Sequence, residues 1–363
     1  MLVQPLRSVD PRQVPSIVGA SEHRVAVLLN TNARRVDARV VKSLSHVVPE
    51  QDLFLSRSEL DCRRIVQTVL ERNYPMVFTG GGDGTFLGFV NEMFRQLEPR
   101  GRFAGKSAPR LGVLKLGTGN GLASYVNAGD GAEGMLRDVV RARSSEVPGL
   151  RRMDLLLVDG QRTPFAGLGV DGKLLNDYNW VKSHLGRGFL KKMLSGPGGY
   201  FSAVAFKTVP HYLANSTWVE CEVINGQAGE AYRVGPEGRV LGAPIAPGKT
   251  IFKGKLMMAA AATMPFYGYG FRMFPFAGER QGMMQLRLGQ LQPASVLANL
   301  HKLWSGRWFP EGLQDYQARE VRIRFNQPMP FQMGGDAAGY REEVTLSVAP
   351  EAVELLDFQG SIH

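Results

Sequence analysis

Two stretches of this chain break an apolar run with a glycine loop and then resume as a helix: "MVFTGGGDGTFLGFVNEMFRQL" (76–97) and "PRLGVLKLGTGNGLASYV" (109–126). A strand that runs through glycines into a helix is the unit of an open α/β sheet, and here it occurs twice in succession. The residues before it fit the same plan. Val25 to Leu29 in "HRVAVLLNTNARR" is a continuous apolar run that stops at Asn30, as a parallel strand covered on both faces does. "DARVVKSLSHVV" has helical spacing, and "DLFLSR" reads as a second strand. "SELDCRRIVQTVLERNYP" offers Ser58 as N-cap, a face of Ile65, Val66, Val69 and Leu70, and Pro75 past its end. The order strand, helix, strand, helix, strand, loop, helix, strand, loop, helix predicts a mostly parallel sheet with helices on both faces.

After about residue 150 the texture changes. "MDLLLVDGQRTPFAGLGV" reads as strand, turn, strand, and 178–209 as one or two helices. "TWVECEVING", "GKLMMAAAATM", "MMQLRLGQL", "REVRIRFNQ" and "EEVTLSV" read as short strands between turns, which predicts an antiparallel β-sandwich. The length of 363 residues suits two domains. We divide the chain into a tail (1–20), a nucleotide-binding α/β domain (21–150), a β-sandwich-type substrate domain (151–358) and a short tail (359–363).

The glycine loops carry the chemistry. Glycine lets a backbone approach a ligand closely, and exposed N–H groups at a loop and the next helix start favour an anion, above all phosphate. In open α/β sheets ligands sit at the carboxyl ends of strands, where both loops lie. Neither loop is a GxxxxGK[ST] or a GxGxxG: counting from Gly80 the pattern meets Thr85, and from Gly117 it meets Leu122. Asp83 is out of place in a bare phosphate cradle. It is explained if it orients a metal–phosphate complex or accepts a proton from a hydroxyl, or if it holds the loop through backbone N–H groups.

"GGDGT" (81–85), "GTGN" (117–120) and a first strand ending in Asn30 resemble the diacylglycerol kinase catalytic-domain family, which includes bacterial diacylglycerol kinases and relatives of the sphingosine and ceramide kinases. "FAGLGVDGKLLNDY" (165–178) is similar to that family's Gly-x-Asp segment, and "RFNQPMPFQMGGDAAG" (324–339) stands where the family carries a late Asp-Gly-Glu loop. The resemblance implies an NAD-kinase-like three-layer α/β domain followed by a β-sandwich, with the active site between them. It implies transfer of the ATP γ-phosphoryl group, with Mg²⁺, to a lipid hydroxyl. It assigns nucleotide contact to Asn30, Gly81, Gly82, Asp83, Gly84, Thr85, Gly117, Thr118, Gly119 and Asn120. Thr31 and Arg34, directly after the first strand, join them as candidates, with Arg35 beside. Asp83 and Asp336 are the candidate catalytic carboxylates. No dedicated metal cage is expected, the Mg²⁺ arriving with ATP.

The chain also departs from the family. Gly88 stands where the helix usually has Glu, Gly121 where Asp follows GTGN, and Gln281 where an Asp-Gly serves a structural metal. Gly334-Gly335-Asp336 replaces Asp-Gly-Glu, so the first carboxylate is missing. A binding protein without turnover is therefore the alternative function, and an NAD-type kinase for a soluble substrate is a further one.

The formal charge of +10 favours an anionic partner. Two cysteines, Cys62 and Cys221, without a CxxC, predict a reducing compartment, and no apolar run reaches the ~18 residues that span a bilayer. A cytoplasmic protein attached peripherally to an anionic membrane is expected. Two stretches could make that contact, "NWVKSHLGRGFLKKM" (179–193) and "LHKLWSGRWFP" (300–310), or each could pack as an ordinary covering element. "MPFYGYGFRMFPFAG" (264–278) either lines a lipid-chain pocket or packs in the core. No zinc spacing and no nucleic-acid-binding module is found.

Overall fold

The computed structural model describes residues 23–117, 119–144, 149–169, 218–268 and 270–358. Thr118, the 179–193 stretch, the 178–209 helices, Asp171 of the Gly-x-Asp segment and both tails lie outside the described residues.

The first half follows the expected order: β1 (Val25–Asn30), α1 (Ala38–Ser45), β2 (Leu53–Ser56), α2 (Glu59–Glu71), β3 (Met76–Gly81), α3 (Asp83–Leu97), β4 (Arg110–Lys115), α4 (Gly121–Tyr125), α5 (Gly131–Arg143) and β5 (Gly149–Met153). β1 pairs in parallel with β2 and β3, and β3 in parallel with β4. Both faces are covered, which is why β1 is apolar from Val25 to Leu29. Val25, Val27 and Leu29 pack with Leu44, Met135 and Val139 of α1 and α5. Ala26 and Leu28 pack with Val66 and Val69 of α2 and Phe86, Phe89 and Val90 of α3. Ser58 caps α2 by accepting the Asp61 N–H.

The second half is antiparallel: β6 (Leu156–Val158), β7 (Gln161–Thr163), β8 (Phe165–Gly169), β9 (Val219–Asn225), β10 (Ala231–Val234), β11 (Val240–Ile245), β12 (Thr250–Leu256), β13 (Met258–Ala262), β14 (Met284–Gly289), α6 (Pro293–Ala298), α7 (Leu300–Trp304), β15 (Leu313–Ala318), β16 (Glu320–Met333) and β17 (Asp336–Val348). These strands form one branched sheet. The branch lies in β16, whose first half pairs with β9 and whose last residues pair with β8. β13 joins the two halves of the molecule. Ala259 and Ala261 point into the core of the second sheet. Met258, Ala260 and Ala262 point into the core that also holds α3. A strand buried on both faces between two closely packed layers takes small residues, and "MAAAA" supplies them.

The sheets do not divide the chain at residue 150. β5 runs across that point, and the last strand, β18 (Val353–Asp357), returns to the first sheet between β4 and β5. Val353, Leu355 and Leu356 are buried there, so the chain end supplies core to the N-terminal part. Such long-range pairing leaves no mark in local spacing.

Candidate active site

The two glycine loops meet at the carboxyl ends of β3 and β4. Two of their glycines, Gly81 and Gly117, are needed for close packing at the junction. A Cβ on Gly81 would fall 2.3 Å from the Thr85 hydroxyl, and one on Gly117 would fall 2.4 Å from Gly82 Cα. Gly82 caps α3, and Asp83 opens it.

Asp83 spans the loops. Its Oδ2 accepts the Gly121 N–H at 2.9 Å and its Oδ1 accepts the Leu122 N–H at 3.2 Å. The start of α3 is thereby tied to the start of α4. Burial pushes the Asp83 carboxyl above its usual range, and the two N–H donors pull partly against that shift. Asn120 is in the left-handed region, with φ of 49°, and its side-chain amide donates to the Gly117 carbonyl at 2.9 Å, closing the second loop. A third glycine turn, from the antiparallel part, completes the junction: a Cβ on Gly121 would lie 3.4 Å from Gly268 Cα, and one on Gly268 would lie 3.8 Å from Gly119 Cα.

A groove runs along the other side of α3. Its first part, about 340 Å³, is lined by Asn30, Ser56, Arg57, Glu59, Gly84 and Thr85 among others. The Asn30 side-chain amide donates to the Thr85 hydroxyl at 3.0 Å, and Asn30 Oδ1 accepts the Asn32 N–H, so Asn30 is held on the β1 side of this wall. Thr31 is turned to β2, where its N–H and hydroxyl both donate to the Ser56 carbonyl. Arg34 and Arg35 are exposed beyond β1 and line neither part of the groove.

The groove opens past Glu59, Cys62, Gly84 and Gly88 into a cleft of about 850 Å³, and Asp336 stands exposed in the far wall of that cleft. Asp336 follows a two-residue hairpin loop, Gly334 and Gly335, both with positive φ (62° and 92°), in which Met333 pairs with Asp336. A side chain at 334 would crowd Thr163 Oγ1 (3.0 Å) and Leu87 Cδ1 (3.1 Å), so the hairpin sits tight on α3. At Gly88 the space is open, with nothing within 4 Å of a Cβ. Burial, with Glu92 and Glu59 nearby, pushes the Cys62 thiol up to about 11, so it is no nucleophile near neutral pH.

Sequence reasoning missed the residues that fix the cleft's far wall. Asn91 on α3 donates to the Arg162 carbonyl at 2.9 Å and accepts the Arg162 N–H at 2.7 Å, stapling β7 to the helix. The Arg162 guanidinium lies over the Phe94 ring and pairs with Glu351 at 2.7 Å. Neither residue belongs to a local pattern. Gly268 carried a weak signal, a Gly-x-Gly among aromatics in "FYGYGF". That stretch is mainly core, with Met264, Phe271, Met273 and Phe274 buried. It is anchored by Arg287, which is fully buried, bidentate to Asp315 at 2.7 and 2.8 Å, and a donor to the Met273 carbonyl. The 300–310 stretch is a packed corner in part: Trp304 stacks on Phe271, centroids 4.9 Å apart.

Residues 24–151 match the family model of the diacylglycerol kinase catalytic domain, so the resemblance carried by GGDGT and GTGN holds over the N-terminal part. No curated protein matches the chain. A solved diacylglycerol kinase from Bacillus anthracis is 12% identical and superposes with a TM-score of 0.57, over 92% of this chain and 97% of that one. Another solved structure from the same organism reaches 0.61 at 13% identity, over 92% and 97%. An NAD kinase from Archaeoglobus fulgidus in complex with ATP superposes less well, with a TM-score of 0.45 at 11% identity, over 92% and 94%. At the identities of the Bacillus structures the likeness shows the fold, an α/β part followed by an antiparallel β part.

Proposed function

We propose that this chain is a kinase that transfers the γ-phosphoryl group of ATP to a hydroxyl of a lipid. The observation that carries the reading is the junction of the two glycine loops. Their backbones are locked against each other by Asp83, at the carboxyl ends of adjacent parallel strands, beside a groove that leads to a second carboxylate. The nucleotide would lie along Asn30, Ser56, Arg57 and Thr85, its phosphates over Gly82–Thr85 and the loop Gly117–Asn120, Thr118 included. Arg34 could reach the phosphates only by swinging in from solvent. Mg²⁺ enters with ATP as part of the substrate and offsets phosphate charge, with the carboxylates of Glu59 and Asp336 facing the groove and cleft.

Phosphoryl transfer asks mainly for positioning and for charge stabilisation. The acceptor oxygen bonds to the γ-phosphorus, the bond to the β–γ bridging oxygen breaks, ADP leaves, and the hydroxyl proton goes to a carboxylate. Both oxygens of Asp83 already accept backbone N–H groups, which suits a residue that aligns the loops. Asp336, exposed across the cleft from Gly84 and Gly88, is the freer proton acceptor. The lipid is a diacylglycerol, a sphingoid base or a similar alcohol, met by a cytoplasmic enzyme at a membrane surface.

The test is ³²P transfer from γ-labelled ATP with Mg²⁺ into a lipid extract in micelles. Asp336→Asn should lower transfer by roughly 10²- to 10⁴-fold, the usual weight of a general base, while calorimetric ATP binding changes little. Unchanged transfer in that variant would remove Asp336 from the chemistry. The empty space at Gly88 and the engaged Asp83 favour a second reading, a nucleotide- or lipid-binding protein without turnover. ATP binding with no labelled lipid in the unmodified protein would select it.

A further inference from the structure

The positive charge of this chain is concentrated. From Arg239 to Pro310 nine Lys or Arg residues stand against one acid, Glu279, a surplus of eight out of the chain's formal +10. The fold neutralises or hides several of them. Lys253 and Lys255 pair with Glu222 and Glu220 across β9, and Arg239 pairs with Glu237. Arg287 is sealed in the core with Asp315. Arg272, Lys302 and Arg307 are exposed and form no ion pair among the described residues.

These three cations share one corner. The Arg272 N–H donates to the Trp304 carbonyl and the Arg307 N–H to the Lys302 carbonyl, each at 2.9 Å. Arg272 Cγ lies 3.1 Å from where a Cβ on Gly306 would stand. Under the cations Val296, Leu300, Trp304 and Trp308 are only partly buried against the core, and His301 is exposed beside them. Indole rings part-way out of a core, beneath unpaired Lys and Arg, match the chemistry of an anionic bilayer surface. Trp sits at headgroup depth, and basic side chains meet lipid phosphates. A second copy of the chain fits worse, because two such faces would bring like charges together.

The corner also reaches the glycine loops. Phe271 stacks on Trp304 with an interplanar angle of 11°, and its N–H donates to the Gly268 carbonyl at 2.9 Å. Gly268 lies against Gly119 and Gly121.

We propose that α6, α7 and the turn through Trp308 are the face that docks this protein on an anionic lipid bilayer and brings the glycine-loop junction to the membrane surface. The purpose of the docking rests on the lipid-kinase reading; the docking itself does not.

The experiment is co-sedimentation of the full chain with vesicles of phosphatidylcholine and phosphatidylglycerol (about 70:30), and with vesicles of phosphatidylcholine alone. The unmodified protein should bind the anionic vesicles, release them as salt rises, and leave the neutral ones in solution. Lys302→Gln with Arg307→Gln should weaken binding roughly 30-fold, the combined effect of two basic residues near an anionic surface. Arg39→Gln with Lys42→Gln, which removes the same charge from α1 on the opposite helical layer, should change it by less than about threefold. Brominated lipid should quench tryptophan fluorescence, and the conservative Trp308→Phe should reduce that quenching while the thermal melt stays in place. Three results would each overturn the proposal: no binding to anionic vesicles, equal losses in the two double variants, or a dimer by light scattering that the Lys302/Arg307 variant abolishes. Calorimetry with Mg²⁺ and ATP runs in parallel. Failure there sinks the kinase reading and leaves the vesicle result to stand or fall by itself.

Discussion

Gly82 and Gly117 touch each other, yet replacing them should have opposite consequences. A Cβ on Gly117 would lie 2.4 Å from Gly82 Cα, which is 1.0 Å short of the 3.4 Å at which ordinary contact begins, and 2.9 Å from both Asn120 Oδ1 and the Gly81 carbonyl. Every clash is with backbone or with a side chain already held by a hydrogen bond, so no rotamer change relieves it. Gly117→Ala must push the loops apart by about 1 Å. Overpacking of that kind costs about 1–3 kcal/mol, and stretching the bonds from Gly121 and Leu122 to a charged acceptor adds about 1.5–3 kcal/mol. We expect a loss of about 2.5–6 kcal/mol. A Cβ on Gly82 instead meets nothing nearer than 3.8 Å, and its φ of −97° is open to alanine. There the reduced freedom of the unfolded chain, about 0.4–1 kcal/mol, offsets the poorer helix cap that Ala makes, also up to about 1 kcal/mol. Gly82→Ala should therefore be near neutral. Urea unfolding of both variants measures the difference, and ATP calorimetry reports whether the cradle survives. Midpoints that agree within the equivalent of about 0.5 kcal/mol would refute the claim that these glycines serve backbone contact.

Two other perturbations bear on the same framework. The Asp83 carboxyl binds its proton more tightly in the folded chain than at its unfolded value near 3.8, so its contribution to stability is lost as pH rises from about 4 through the raised value. The difference in unfolding free energy between the unmodified chain and Asp83→Asn should therefore fall across that window and be flat above it; a difference that rises with pH would reverse the sign assigned here. Arg287→Met leaves Asp315 buried and unpaired and should cost about 3–5 kcal/mol, most of it recovered when Asp315→Leu is added. Calorimetric melts of the two variants decide this, and a single variant as stable as the double one would contradict it.

The α/β half was legible because its signals are local. β1 is apolar from Val25 to Leu29 since helices cover both faces, Ser58 caps the helix it precedes, and the glycine loops interrupt strand and helix at fixed points. The antiparallel strands were legible as strands but not as a topology. Nothing in "VELLD" says that it closes the first sheet rather than the second, because burial between β4 and β5 and burial in a sandwich ask for the same side chains. The site divides in the same way. Asn30, Gly81, Asp83 and Asn120 stand inside motifs. Asn91 and Arg162 are 71 residues apart and meet only through tertiary packing, and Gly268 comes to Gly119 through a turn whose far side, at Met273, is bonded to the buried Arg287.

The placement of the missing carboxylates bears on what the junction was kept for. Gly121 cannot take a side chain without cost, since its Cβ would crowd Asp83 Oδ2 at 3.3 Å and Gly268 at 3.4 Å. Gly334 is likewise pressed on Leu87 and Thr163. At these two positions the smaller residue goes with a closer approach of the surrounding elements. Gly88 is different, because it faces open groove and a glutamate would fit there. The first two substitutions are thus part of the packing that brings the Gly268 turn and the Asp336 hairpin up to α3, while only the third leaves an acidic position empty. A site that had merely decayed would be expected to loosen where its acids were lost. Of the losses at Gly88, Gly121 and Gly334, two coincide with tight contact between the halves of the molecule, and that contact keeps Asp336 on the cleft wall opposite Gly84.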